Sequence, residues 1–233
     1  MIKIDWLVLR TEMTLYLYDM SNSTGVSASP YGYRIHEALH LLSLPYETEL
    51  LSFSQVARMF SKTHKTVPVL VDDDREIGDS WAIANHLAEN HDPGNLLFGG
   101  VGGYPLACFI TRWVDASIMG AVNRIIVKDI HDSIHQADQA EYRDKQEKRY
   151  GQSLEALHLT GGAGLIDFQV SLYPARQAIK EYPYLGGDAP TYADITLHSV
   201  FRWSRLTSEI ELLRPDDRLR SWIRRMDVWL KID

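Results

Sequence analysis

Thr66-Val67-Pro68-Val69-Leu70-Val71-Asp72-Asp73-Asp74-Arg75-Glu76-Ile77-Gly78-Asp79-Ser80-Trp81 is the stretch on which the fold turns. Its apolar, β-branched run contains a proline, which has no N–H to offer a ladder. Val67-Pro68 therefore reads as a sheet edge or a strand start, and as a candidate cis bond. Asp72 to Asp74 forms a turn and Arg75 to Ile77 a brief return strand. Asp79-Ser80 then opens a helix through Trp81, Ile83, Ala84, Leu87 and Ala88.

Working outward, Thr14 to Met20 is short, aromatic and apolar and runs into Ser21-Asn22-Ser23-Thr24-Gly25, so it is a strand ending in a loop. Ser29-Pro30 is a favoured N-cap followed by proline at the first helical position, and Ile35, Ala38, Leu39 and Leu42 give a helical stripe that Pro45 stops. Tyr46 to Leu51 alternates as a strand, and Ser52 to Phe60 is a short, weakly helical connection. After His91-Asp92-Pro93-Gly94-Asn95 the strand signals end. Helical patterns follow over Tyr104 to Lys128, Gln136 to Ala156 and Leu165 to Glu181, with a break at the glycine-rich Thr160 to Gly164 and a kink at Pro174. Thr191-Tyr192-Ala193-Asp194 caps a helix through Val200 and Trp203, and Asp217 to Leu230 is the last one. The chain divides into an extension, 1–12, whose end at Met13 fits a start site; an α/β unit, 13–90; a linker, 91–98; and an all-helical unit, 99–233.

Composition narrows the function. Of 233 residues 45% are hydrophobic and 24% charged, enough to build a core, and the net charge of −7 gives no general attraction to nucleic acid or anionic membrane. Arg214, Arg218, Arg220, Arg224 and Arg225 make the last helix basic, but acidic neighbours and the lack of interleaved aromatics argue against nucleic acid. No stretch approaches the ~18 uncharged apolar residues of a membrane span. Lys3, Asp5, Arg10 and Glu12 interrupt any signal-peptide core, so a cytoplasmic location is expected. The single cysteine, Cys108, sits in an apolar run and reads as a small buried hydrophobe. The mixed charges of Asp138 to Arg149 read as a solvated helix face.

His36-Glu37-Ala38-Leu39-His40 satisfies the H-E-x-x-H spacing of a zinc metalloprotease. A third ligand is not at hand: position 46 is Tyr46, and Glu47 and Glu49 fall on a strand. The core stripe also turns away from both histidines, so metalloprotease is a remote alternative, as is a metal pair at His131 and His135. The first strand-helix junction carries Ser23, Ser27 and Ser29. A hydroxyl there caps the helix, and beside the positive end of the helix dipole it also suits a sulfur anion. The residue before a cis proline can pair with a peptide as an added strand would. Asp79 offers an acid to an ammonium, and Ser80, with the free amides of its helix start, offers donors to a carboxylate. A ligand with a peptide backbone, an α-amino-acid end and a thiol uses all three features.

Taken together, Ser29-Pro30, Thr66 to Leu70, Asp79 to Ala84, and Tyr184-Leu185-Gly186-Gly187-Asp188 leading to Thr191 to Asp194 resemble the glutathione S-transferase superfamily. The resemblance spans nearly all of the chain from Met13. Ser29 to Arg34, Val71-Asp72-Asp73, Asp79-Ser80-Trp81, and Arg112-Trp113 followed by Arg124 and His131-Asp132 look most like the bacterial β-etherases and the fungal etherase-like class. That resemblance implies an N-terminal thioredoxin-like α/β domain followed by an all-α domain, glutathione as co-substrate with no metal, and a homodimer. It implies that Ser29 stabilises the glutathione thiolate and that Val67, before Pro68, pairs with the cysteinyl part. Asp79 and Ser80 would hold the γ-glutamyl end, and Lys65 or His64 would meet the glycyl carboxylate. Thr191 and Asp194 match a capping box that serves folding. Tyr33, Trp113, Ser117 and Met119 would line the electrophile pocket; the etherases carry tryptophan where this chain has Tyr33, and an aromatic-rich fourth helix where it has Trp113 alone. The expected reaction is attack of the thiolate on a small hydrophobic or aromatic electrophile, such as a β-aryl ether. The rival is a non-catalytic glutathione-fold binding protein, a ligandin or scaffold.

Overall fold

The computed structural model describes residues 15–59 and 64–232. The N-terminal extension, the Met13 start and Phe60 lie outside them. The first half runs β1 (Leu15–Met20), α1 (Pro30–Leu41), β2 (Tyr46–Leu51), α2 (Phe53–Met59), β3 (Val69–Asp72), β4 (Arg75–Gly78) and α3 (Ser80–His91), the order expected from the sequence. The strands lie in the order β2-β1-β3-β4; β1 and β2 are parallel, and β3 is antiparallel to both β1 and β4. The proline problem is solved by position: Pro68 stands just before β3, so the inner strand itself contains no proline, and Val67-Pro68 is cis.

The second half is helical: α4 (Gly103–Trp113), a π-helical segment (Val114–Met119), α5 (Gly120–Ser133), α6 (Gln136–Tyr150), α7 (Leu154–Ser171), α8 (Tyr173–Glu181), α9 (Tyr192–Thr207) and α10 (Leu219–Trp229). Two helix boundaries differ from expectation. The glycine-rich 160–164 does not break the chain; α7 runs through it, and the break falls earlier, where Gly151 ends α6 at φ 67° and Ser153 caps α7. Each glycine costs a helix roughly 1 kcal/mol. Burial of Leu154, Phe168 and Leu172, with α7 packed along α5, outweighs that cost. Pro174 does not kink a continuous helix either, because it sits in the first turn of a new one, α8, where its missing N–H has no partner to lose. Cys108 is half-buried on α4, not enclosed, and α4 leaves Tyr104, Leu106 and Phe109 exposed.

A continuous core joins the halves. Glu37 of α1 and His198 of α9, both fully buried, meet at 2.9 Å, and His198 Nε2 lies 3.0 Å from Asp227 of α10. Arg34, also fully buried, donates to Asp115 at 2.6 Å. The Thr191–Asp194 capping box is formed: Asp194 accepts from the N–H groups of Leu185, Gly186 and Thr191 and from Trp222 Nε1. Tyr192 then donates to the Ser80 carbonyl at 3.0 Å, fixing the start of α3 against the helical half.

Candidate active site

Between the sheet and the helices lies a cleft of about 570 Å³. Its α/β wall consists of Ser29, Pro30 and Tyr31 at the start of α1, Lys65 to Pro68 before β3, Asp79 and Ser80 at the start of α3, and Phe53 and Val56 of α2. Of the residues singled out from sequence, the cleft brings together Ser29, Lys65, Val67, Pro68, Asp79, Ser80 and Met119.

Ser29 is buried and caps α1, its Oγ accepting the Gly32 N–H at 3.1 Å. With its oxygen so used, the hydroxyl proton is free to point into the cleft at the positive end of α1. Among the other serines, Ser27 donates to the buried Asp19, and Ser23 to the Ser133 carbonyl, so Ser29 alone of the three lines the cleft. Asp79 caps α3 by accepting from Trp81 and Ala82 N–H, both at 3.0 Å. Its φ of 74° is a conformation that L residues rarely hold and that gathers at ligand-binding positions.

Four residues stand elsewhere. His64 packs over β4: a Cβ added to Gly78 would lie 2.3 Å from its Nδ1. Tyr33 is buried between α1 and α9, donating to the Ser27 carbonyl at 2.8 Å under the Arg202 guanidinium. Burial pushes its phenol up to about 12 despite that cation. Trp113 packs half-buried against the core, and Ser117 is exposed on the π segment; neither lines the cleft.

The helical wall is instead built from Asp115, Met119, Gly120 and Asn123, from Glu141, Tyr142, Lys145, Gln146 and Arg149 of α6, and from Trp203 of α9. Helix α6 is thus not merely a solvated face. Asp138, Tyr142 and Gln146 are buried, while Lys145 stacks over Phe53 at 4.9 Å across the cleft. The spacing of 138, 142, 145, 146 and 149 is one helical stripe, the signal that would have found it. Among the described residues, Tyr142 Oη, Gln146 Oε1 and Trp203 Nε1 are buried polar atoms with no hydrogen-bond partner. Burial raises the Tyr142 phenol well above its usual value, so it remains a hydrogen-bond donor.

The zinc-protease spacing leads nowhere in the fold. His36 Nδ1 meets the Tyr46 hydroxyl at 2.9 Å, and Glu37 points the other way into its buried contact with His198. His131 pairs with Asp132 at 2.7 Å, whereas His135 Nε2 lies 3.4 Å from Ser21 Oγ.

Comparison with known proteins places the chain by family and fold. The glutathione S-transferase N-terminal domain matches residues 24–95, and the glutathione S-transferase C-terminal domain matches residues 106–229. The chain belongs to the glutathione S-transferase family. Among the family's curated members, a probable glutathione S-transferase of Oryza sativa subsp. japonica is 26% identical over 193 residues, covering 77% of this chain and 70% of its own. Glutathione transferase GSTFuA3 of Phanerochaete chrysosporium has the same fold with a TM-score of 0.84 at 18% identity, over 94% of this chain and 98% of its own. A glutathione S-transferase of Ceriporiopsis subvermispora, solved in complex with glutathione, superposes with a TM-score of 0.79 at 17% identity, over 94% and 98%. No helix among the described residues is long and apolar enough to cross a membrane.

Proposed function

We propose that this glutathione S-transferase binds glutathione in the cleft, stabilises its thiolate through Ser29, and directs it at an oxygenated aromatic electrophile held by the helical wall. The observation that carries the proposal is the meeting of Ser29, Val67-Pro68 and Asp79-Ser80 on one side of a single cleft. The Val67 backbone pairs with the cysteinyl residue, and Asp79 takes the ammonium of the γ-glutamyl end. Ser80 and the amides of its helix take the carboxylate beside it. Lys65, which lines the cleft, meets the glycyl carboxylate in preference to His64.

With the Ser29 O–H donating to sulfur, the thiol loses its proton to solvent near neutral pH. The thiolate then attacks an electrophilic carbon: a C–S bond forms, and the leaving group departs with the electron pair of the bond that breaks. For a β-aryl ether the leaving group is an aryl oxide, and the products are a glutathione thioether and a phenol. An oxygenated aromatic is favoured by the apolar surfaces of Phe53, Met119 and Trp203 set beside the orphan atoms Tyr142 Oη, Gln146 Oε1 and Trp203 Nε1, which need polar partners. The exposed Tyr104, Leu106 and Phe109 support a homodimer through α4, which light scattering on the purified chain checks.

The test is glutathione affinity together with turnover of β-aryl ether, haloaromatic and epoxide panels by the parent chain and Ser29→Ala. The expected result is retained binding with turnover reduced about 100-fold, the order seen when one donor to a developing anion is removed. Tight glutathione binding without turnover of any panel would establish the ligandin or scaffold reading.

A further inference from the structure

A second cluster of chemistry-bearing side chains lies outside the cleft. Asp72, the last residue of β3, receives two imidazoles on one oxygen: His86 Nε2 at 2.6 Å and His91 Nε2 at 2.7 Å from Asp72 Oδ2. All three side chains are nearly enclosed, 10–12% exposed, and the imidazole rings stand 5.9 Å apart at 60° to one another. The Asn90 amide, 3.2 Å from His86 Nδ1, fixes that ring with Nε2 toward the carboxylate. One nitrogen from each histidine and one Asp72 oxygen lie within 4.8 Å of one another, the only such group of three among the described residues.

We propose that Asp72, His86 and His91 form a binding site for a zinc-class divalent cation that ties the end of α3 to β3. Two imidazoles and one carboxylate suit zinc and its neighbours in the transition series, whereas magnesium and calcium prefer oxygen-only sets. Ligands at about 2.0–2.1 Å in tetrahedral array stand roughly 3.3 Å apart. Each N···O separation therefore opens by about 0.7 Å when the ion replaces the shared protons, a change that side-chain rotation can provide. The residual opening to solvent gives a water the fourth position. His91 lies roughly 16 Å along α3 from Ser80, as a rise of 1.5 Å per residue dictates, so the ion is structural and stands apart from glutathione chemistry.

The experiment uses the untagged, metal-stripped full chain titrated with Zn²⁺ against a chromophoric chelator, and with Co²⁺ followed by visible absorption. The parent is expected to take up one ion per chain, to gain a stoichiometric cobalt absorption band, and to melt several degrees higher with zinc present. His86→Gln, His91→Gln and Asp72→Asn are expected to weaken zinc binding at least 10-fold while leaving glutathione affinity unchanged. The His36→Ala/His40→Ala double variant is expected to bind zinc as the parent does. A parent chain with no stoichiometric zinc or cobalt uptake would overturn the site, whether or not the variants fold. So would uptake that survives the His86→Gln/His91→Gln double variant or vanishes in the His36→Ala/His40→Ala variant.

Discussion

The two walls of the cleft are made of different material. The α/β wall sets backbone groups at its centre, two helix starts and one peptide before a cis proline with the short polar side chains that cap the helices, and is completed by Tyr31, Phe53, Val56 and Lys65. The helical wall is side chains, delivered by the π segment, α5, α6 and α9 from positions more than eighty residues apart in the chain. The first kind of wall suits one invariant ligand, because backbone donors cannot be retuned by substitution. The second suits a variable ligand, since each of its residues can change while its helix stands. Specificity for glutathione and for the electrophile are then separable, and substitutions can test that separation.

The largest effect is expected where the walls are joined. Burial would lower the His198 imidazole, but Glu37 and Asp227 overcome it and raise the group to about 9. A folded value above the unfolded value of about 6.5 means the contribution is complete below 6.5 and is lost as pH rises through 9. Asp227, held below the ordinary carboxylate range against its own desolvation by His198 and Arg205, contributes above its unfolded value and loses that contribution as pH falls. The join is thus strongest between about pH 4 and 6.5, and chemical denaturation across pH 5 to 10 should show stability falling by on the order of 3 kcal/mol. His198→Ala should cost about 3–5 kcal/mol at pH 6, because Glu37 is left buried, and should flatten the alkaline limb. A flat profile in the parent would deny that this pair joins the walls.

On the α/β side, Asp79→Ala should weaken glutathione binding by about 10–100-fold in calorimetry, since it removes both the acid proposed to meet the ammonium and the observed cap of α3. An equal loss from a helical-wall substitution would collapse the distinction between the walls. The sharper probe on the helical side is Tyr142→Phe. Turnover of oxygenated aromatics should fall about 10-fold with glutathione affinity unchanged. The protein should become more stable by about 1 kcal/mol, because an unsatisfied buried hydroxyl is gone. A thermal melt together with turnover decides it: lower stability would mean that Tyr142 has a structural partner. Least affected is Lys65→Ala, an exposed cation whose loss should cost glutathione affinity about 3-fold at low salt and less at high salt.

The contrast between the walls also explains what the sequence revealed. Ser29-Pro30, Val67-Pro68, Asp79-Ser80 and Thr191 to Asp194 are legible because caps and proline constraints act over a few residues, and all of them fall where local chemistry places them. Tyr33 illustrates the opposite. Helical spacing puts it on α1, but whether it faces ligand or α9 depends on Arg202, which the fold brings from far along the chain. The glycines of 160–164 mislead in the same way, since their local penalty is set against packing on α5 that no local pattern announces. Helix α6 kept its secret because its stripe is polar, and only burial of Tyr142 and Gln146 distinguishes a cleft wall from a wet surface.

The central claim is that the Ser29 hydroxyl, freed by its use as an acceptor for Gly32, stabilises a thiolate in this cleft. Ultraviolet titration of the thiolate of bound glutathione measures it directly. The parent is expected to hold the thiol about 1–2 pH units below its ordinary value near 8.5, and Ser29→Ala to return it close to that value with glutathione still bound. An unperturbed thiol in the parent, or a depressed one that survives Ser29→Ala, would contradict the account.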